Sequence, residues 1–358
     1  MRFYAFYDKY VKFFLCGVVF LQQICYNKKK ERDLLQTSLF RKQNAMDINK
    51  YVPKYKTSHT GLLCLADLTG EEIFEYLYAA KAMKKKFRVG ENPPALRGKT
   101  VALLFGNVST RTRITFEMGI RQLGGDFIYL PKDETQLSRG ESIRDTAVML
   151  ERYGISAVVL RGFDNESLHE FASNTSIPVI NGISDNSHPI QILSDLFTIW
   201  EVKGRLDNLK LAYIGDGNNV ANSLILGCSK VNMDISLASP HGYSPDRTIV
   251  ERGMQFSNVI ITDDIYEAVR DADIVYTDVF ISMNDKNDEH KKQILSRYQV
   301  TKEVMAHAKP DAVFMHCMPV HRGEEVAAEV ADGQQSILYD QAENRLHMNK
   351  AVLAMLVK

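Results

Sequence analysis

Apolar residues along this chain fall into two alternating patterns, stripes at helical spacing and short continuous runs of strand length. Thr69-Gly70-Glu71-Glu72 reads as a capping box, in which the Thr69 hydroxyl and the Glu72 carboxylate each take a free backbone N–H at a helix start. Ile73, Phe74, Leu77 and Ala80 continue it as the buried stripe of a helix. Runs at 101–105, 127–130, 157–160 and 178–180 predict strands, with helical stretches between them near 110–123, 142–153 and 165–174. A longer helix near 189–203, carrying Ile190, Ile192, Leu193, Leu196, Phe197 and Trp200, leads into a second series. Its strands are predicted at 209–214, 234–237, 259–261, 274–277 and 312–315, again with helices between. Continuous apolar strands separated by helices mean parallel sheets covered on both faces. Two such series predict two α/β domains joined near 188–200, and an apolar helix at about 340–357 packs back on one of them.

A length of 358 residues agrees with two domains of ordinary size. Hydrophobic residues make up 45% and charged residues 25%, with mean hydropathy -0.21, as in soluble globular proteins. Lys+Arg and Asp+Glu both number 44, which excludes a strongly basic nucleic-acid binder and an acidic disordered chain. Cys16, Cys25, Cys64, Cys228 and Cys317 are scattered, with no disulfide framework and no paired metal-ligand spacing, so a reducing compartment is expected. Charge is uneven, however. Residues 1–45 hold nine Lys/Arg and three Asp/Glu, whereas residues 46–358 hold 35 and 41. The apolar run 13–21 (FFLCGVVFL) is nine residues long; a membrane-spanning helix needs about 20. Asn27-Lys28-Lys29-Lys30 follows in place of a small-residue cleavage site. Residues 1–45 are therefore read as an extension, disordered or an upstream start ahead of Met46, and the protein as cytoplasmic, without a membrane or nucleic-acid partner.

Ligands of open parallel sheets sit beyond the carboxyl ends of the strands. After the strand at 101–105 comes Gly106-Asn-Val-Ser109-Thr110-Arg111-Thr112-Arg113, opening a helix. Free N–H groups, hydroxyls and guanidinium groups packed together make an anion site, where an ordinary cap would use only one or two of them. Arg161 stands at another strand end, and His188-Pro-Ile-Gln191 at a helix entrance offers a carbonyl polariser. Gly215-Asp-Gly217-Asn-Asn219 resembles half a dinucleotide fingerprint, but Val220 occupies the third glycine position, which argues against a nicotinamide site. Asp278, with Ser282-Met283 beyond it, and His316-Cys317-Met318-Pro319 follow two further strands; Cys317 is either reactive or a buried filler.

Taken in this order, Ser109-Thr-Arg-Thr-Arg113, His188-Pro-Ile-Gln191, Asp278 with Ser282-Met283, and His316-Cys-Met-Pro319 resemble the motifs of the aspartate/ornithine carbamoyltransferases. The Asp-x-x-x-Ser-Met and His-Cys-x-Pro pair marks the ornithine branch, and the likeness runs from about Leu62 to the C-terminus. The resemblance implies two Rossmann-like domains, a carbamoyl phosphate domain at 46–190 and an ornithine domain at 191–335, followed by the C-terminal helix at 336–358. It also implies carbamoyl transfer from carbamoyl phosphate to the δ-amine of L-ornithine in arginine metabolism, a homotrimer with active sites at subunit interfaces, and no metal or cofactor. Ser109, Thr110, Arg111 and Thr112 would hold the phosphate; Arg161, His188 and Gln191 the carbamoyl end; Arg345 would complete that site. Gln136 would reach in from a neighbouring subunit. Asn219, Asp278, Ser282 and Met283 would hold the α-carboxylate and α-amino group of ornithine, with Cys317 and the Met318 backbone beside the attacking amine. Arg161, His188, Cys317 and Asp278 are the expected catalytic groups.

Two positions depart from the family pattern. Asn284 replaces the glycine usual after Ser-Met, and Met318 replaces leucine. Asparagine tolerates left-handed backbone better than other non-glycine residues, and Leu-to-Met conserves volume. Putrescine or another amine remains an alternative acceptor, and a non-catalytic carbamoyl phosphate binder an alternative role.

Overall fold

The computed structural model describes residues 47–281 and 289–358. The expected extension at 1–45, and Ser282, Met283 and Asn284, lie outside the described residues. The first strand series forms a parallel sheet of order β2-β1-β3-β4, from β1 (Thr100–Phe105), β2 (Asp126–Pro131), β3 (Ala157–Phe163) and β4 (Val179–Ser184). The second forms a parallel sheet of order β7-β6-β5-β8-β9, from β5 (Lys210–Ile214), β6 (Asp234–Ala238), β7 (Val259–Thr262), β8 (Ile274–Thr277) and β9 (Val313–His316). Both predicted series are therefore present. β3 and β4 run three or four residues past the apolar runs that predicted them, because Arg161-Gly-Phe163 and Asn181-Gly-Ile-Ser184 are extended without being continuously apolar. Their pairing slips at Arg161, where the ladder is irregular.

The helices of the first half are α1 (Gly70–Arg88), α2 (Arg111–Gln122), α3 (Ile143–Arg152), α4 (Asn165–Ser173) and α5 (Pro189–Lys203). Those of the second are α6 (Asn219–Lys230), α7 (Arg247–Gly253), α8 (Ile265–Val269), α9 (Glu289–Leu295), α10 (Lys302–Ala306), α11 (Ala328–Ala331) and α12 (Leu338–Leu356). The predicted capping box opens α1: Thr69 Oγ1 accepts the Glu72 N–H at 3.2 Å, and the Glu72 carboxylate accepts the Thr69 N–H at 2.9 Å.

α5 is buried from Pro189 to Trp200, on every face. A helix apolar all round belongs inside a core, and α5 packs on α1, α6, α12 and β4. One hydrophobic cluster runs from β1 and β3 through α5 to β5 and β6. α12 crosses α1, α2 and α5, so the chain's last helix returns to the first half. The approach to α2 is close: a Cβ on Gly119 would lie 3.3 Å from the Lys350 side chain. This return carries residues from the end of the chain to the carboxyl edge of the first sheet.

Candidate functional site

The carboxyl ends of the two sheets face a cavity of about 310 Å³, lined from the first half by Asn107 to Thr112, Arg161, Ser184 and His188. The other half contributes Asn219, Asp278, Cys317, Met318 and Pro319, and α12 contributes Arg345. β1 delivers its loop to the start of α2, where Thr110 is the N-cap but makes no side-chain cap bond. The first-turn N–H groups and the helix dipole there favour an anion. β3 delivers Arg161, and Gly162 follows at φ 74°, where a Cβ would meet the Asn107 side chain at 2.8 Å. Only glycine suits both the left-handed backbone and that close approach.

Thr112 is the meeting point of two guanidinium groups. Its Oγ1 accepts Arg161 Nη1 at 3.2 Å and Arg345 Nη2 at 3.3 Å. A hydroxyl has one hydrogen and two acceptor lone pairs, so its own hydrogen is left to donate elsewhere. Arg345 Nη1 also donates to Gln191 Oε1 on α5. The Nε atoms of Arg161 and Arg345 are buried without a partner. Among the described residues, no carboxylate forms an ion pair with Arg111, Arg161 or Arg345. Burial, followed by Arg345 and Arg111, pulls the Arg161 guanidinium down to about 10; it remains charged near neutrality. Burial also lowers Arg345. Cations held together against their own repulsion, with no counter-carboxylate, suit an anionic ligand.

His188 is the N-cap of α5, and its backbone N–H donates to Ser223 Oγ at 2.8 Å. Its ring is buried, with Nδ1 lacking a partner. Burial, then Arg345 and Arg161, holds it well below the usual histidine range, so the imidazole is neutral and can polarise a carbonyl only through an N–H.

The opposite wall is acidic. Asp278, just past β8, accepts Cys317 Sγ–H at 2.9 Å and the Val279 N–H at 2.8 Å on Oδ1, and Asn218 Nδ2 at 2.8 Å on Oδ2. Burial first, and the Asp278 charge next, push the Cys317 thiol well above its ordinary value. It is therefore a neutral donor and not a thiolate nucleophile. Met318, at φ 61°, donates its N–H to His316 Nδ1 at 2.8 Å, while His316 Nε2 meets the buried Glu325 at 3.1 Å. Asp278, His316 and Cys317 could offer a metal ion ligand atoms within 4.8 Å of one another. Both His316 nitrogens and the Cys317 thiol are engaged as described, which does not fit a ready-made metal site.

Most residues singled out from sequence thus meet at one place. Gln191 lies just beneath the cavity, on the Arg345 guanidinium, and Asn219 donates Nδ2 to the Ser184 carbonyl at 2.8 Å. Gln136 sits exposed on a short turn (Gln136–Arg139) and does not line this cavity. Asn218 was not singled out. It caps α6 through Oδ1 and holds Asp278 through Nδ2; an Asn at the turn before a helix was the available signal. Asp195, Gln341 and Glu325, also buried around the site, were missed as well.

Two family profiles match. "Aspartate/ornithine carbamoyltransferase, carbamoyl-P binding domain" covers residues 61–201, and its "Asp/Orn binding domain" counterpart covers residues 207–356. The chain belongs to the aspartate/ornithine carbamoyltransferase family. Similar members include ornithine carbamoyltransferase of Pyrococcus abyssi, 46% identical over 83% of this chain and 95% of its own length. That of Bacillus subtilis is 47% identical over 82% and 92%. Among solved structures, ornithine carbamoyltransferase from Pyrococcus furiosus superposes with a TM-score of 0.80 at 44% identity, covering 83% of this chain and 96% of that one. A mitochondrial ornithine carbamoyltransferase from Coccidioides immitis gives 0.76 at 32%, covering 83% and 97%. In family terms, the first profile spans the sheet with the arginine cradle, and the second spans the sheet carrying Asp278 and Cys317.

Proposed function

We propose that this carbamoyltransferase moves the carbamoyl group of carbamoyl phosphate to the δ-amine of L-ornithine, giving L-citrulline and phosphate. The observation that carries this reading is the division of one cavity into a wall of three guanidinium groups without counter-carboxylates and a facing wall built on Asp278 and Cys317. Phosphate takes the N-terminus of α2 with Ser109, Thr110, Arg111 and Thr112. Arg161 and the neutral His188 donate to the carbamoyl end, and Arg345 completes the carbamoyl phosphate site, reaching both the phosphate and the carbamoyl oxygen. Asp278 receives an ammonium of the acceptor, with Asn219, Ser282 and Met283 at its α-substituents. Cys317 and the Met318 backbone stand by the reacting amine.

The δ-nitrogen bonds to the carbamoyl carbon, and negative charge gathers on the carbonyl oxygen against Arg161, His188 and Thr112. The C–O bond to phosphate then breaks, and phosphate departs into the arginine cradle. The amine proton passes to the departing phosphate, since Cys317 is held protonated and cannot serve as base. Holding both substrates across one cavity supplies much of the acceleration.

The same reading assigns carbamoyl phosphate binding to 46–190, ornithine binding to 191–335 and the closing helix to 336–358. It takes the chain as a cytoplasmic homotrimer, with the exposed Gln136 serving a neighbouring subunit's site. No described helix is long and apolar enough to cross a membrane. The test is citrulline formation from carbamoyl phosphate and ornithine, with putrescine and aspartate alongside. Strong preference for ornithine is expected. Preference for putrescine would overturn the acceptor, and no turnover with any amine would overturn the activity.

A further inference from the structure

We propose that Asp195 is a positioning residue that sets the orientation of two side-chain amides, Gln191 and Gln341, and through them both walls of the transfer site. This rests on the reading of Gln191, Arg345, Cys317 and Met318 given above. Asp195 lies on α5, one turn beyond Gln191, and is fully buried at 0% exposure. No cation forms an ion pair with it among the described residues. Its partners are three neutral donors. Oδ1 accepts Gln191 Nε2 at 2.8 Å and Gln341 Nε2 at 2.8 Å, and Oδ2 accepts the Tyr276 hydroxyl at 2.8 Å.

A primary amide carries a donor and an acceptor of nearly equal size, and a half-turn exchanges them. An ionised carboxylate accepts only. Both amides must therefore offer NH₂ to Asp195, which aims both carbonyl oxygens away from it. Gln191 Oε1 then accepts Arg345 Nη1, on the arginine wall. Gln341 Oε1 accepts the His316 N–H at 2.9 Å, one residue before Cys317. A turned Gln191 would point NH₂ at a guanidinium, and a turned Gln341 would point NH₂ at a backbone N–H. Each turned state leaves buried donors facing each other, so the lone carboxylate selects one state at both ends. Burial, opposed by the three donors and by Arg345, raises this carboxyl to about 6, the mark of an acid kept in a dry site without a paired cation.

The arrangement distinguishes orientation from charge. Oδ1 alone serves both amides, while Oδ2 meets a hydroxyl that can also accept. Asp195→Asn can keep its carbonyl on the amides and donate NH₂ to the Tyr276 oxygen, which also accepts Gln341 Nε2 at 3.2 Å, whereas Asp195→Ala removes the acceptor that both amides share. The experiment compares both variants with the wild-type chain in citrulline kinetics and in calorimetric titration with inorganic phosphate. D195N should stay within threefold of wild type in kcat, in both KM values and in phosphate Kd. D195A, folded by circular dichroism, should raise the carbamoyl phosphate KM and the phosphate Kd at least tenfold and lower kcat. A D195N protein as impaired as D195A, or a D195A protein with unchanged kinetics and binding, overturns the proposal.

If D195A does not fold, Gln191→Met and Gln341→Met take its place. Q191M should weaken phosphate tenfold and leave the ornithine KM within threefold, and Q341M should do the reverse. The same pattern from both overturns the two-sided role. A wild-type protein that binds phosphate but forms no citrulline removes the proposed activity, and the phosphate titrations still decide the role of Asp195.

Discussion

Replacing Asp278 by asparagine tests the acceptor wall most directly. The carboxylate accepts three donors, from Cys317, Val279 and Asn218, and faces the cavity that the attacking amine must enter. In D278N the Oδ1 contacts can persist, but the new NH₂ meets Asn218 Nδ2, donor against donor, at a separation now 2.8 Å. The acceptor's ammonium also loses its anion. A charge-assisted hydrogen bond is worth about 1.5–3 kcal/mol, which converts to a rise of roughly 10- to 150-fold in the ornithine KM. The carbamoyl phosphate KM should stay within about threefold, because Thr112, Arg161 and Arg345 hold one another on the opposite wall. Initial rates with each substrate varied against a saturating partner give both constants. A second readout needs no substrate: the Asp278 charge helps hold Cys317 protonated, so iodoacetamide at pH 8 should alkylate Cys317 faster in D278N than in wild type. An unchanged ornithine KM with a raised carbamoyl phosphate KM would refute the assignment of the two walls, and unchanged alkylation would refute the Asp278–Cys317 coupling.

Three further outcomes can be checked. Arg111→Ala should keep the fold, since Arg111 is exposed at the cavity mouth, and weaken carbamoyl phosphate binding about 10- to 100-fold by calorimetry; undiminished binding would remove Arg111 from the cradle. Lys84→Met removes a buried ammonium that bonds Glu201 and Asn344 at 2.8 Å each, tying α1 to α5 and α12. Glu201 is exposed and can turn to water, so the cost should be about 1–2 kcal/mol, chiefly from the buried Asn344 carbonyl left unpaired, read as a lower urea midpoint; an unshifted midpoint would show the contact to be idle. Asp195 gives a pH dependence with a definite sign. Its folded value of about 6 stands above the ordinary aspartate value of 3.8, so its favourable contribution is present in acid and is lost as pH rises through 6. D195N lacks this titration. Its stability relative to wild type should therefore grow by about 2 kcal/mol between pH 4 and pH 7 in chemical denaturation, and a pH-independent difference would refute the shift.

Legibility in the sequence followed burial. Strands with both faces covered must be continuously apolar, which is why β1 and β5 to β9 could be located within a residue or two. β3 and β4 run past their apolar runs because their last residues include Arg161 and Ser184, polar groups that line the cavity. Residues grouped in sequence, such as Ser109 to Thr112, announced an anion site by local density. Arg345 had no such density, and only family resemblance pointed to it; its role depends on α12 crossing back over α2 and α5, a long-range contact that no local pattern encodes. Asp195 was legible in principle as the one acid in the part of α5 that is buried on every face, Pro189 to Trp200. Its meaning needed Gln341 and Tyr276, which arrive from α12 and β8.

The two walls also divide the energetic work. Arg111, Arg161 and Arg345 repel one another, and an incoming phosphate relieves that repulsion. Yet the non-bridging phosphoryl oxygens keep much the same charge and shape in substrate, transition state and product, the new charge of the departing phosphate falling on the bridging oxygen that takes the amine proton. Binding them equally in all three lowers KM without raising kcat. The cradle by itself must then bind inorganic phosphate well, and phosphate should inhibit competitively with carbamoyl phosphate. Acceleration has to come from contacts that strengthen as the carbonyl oxygen gathers charge. On the proposed reading Arg161 and Thr112, bonded to each other, would meet that oxygen from one side, and His188, held neutral by burial and by its cationic neighbours, would donate an N–H from another. The same crowding of arginines that gives affinity for phosphate thus keeps the imidazole in the protonation state that the carbonyl needs.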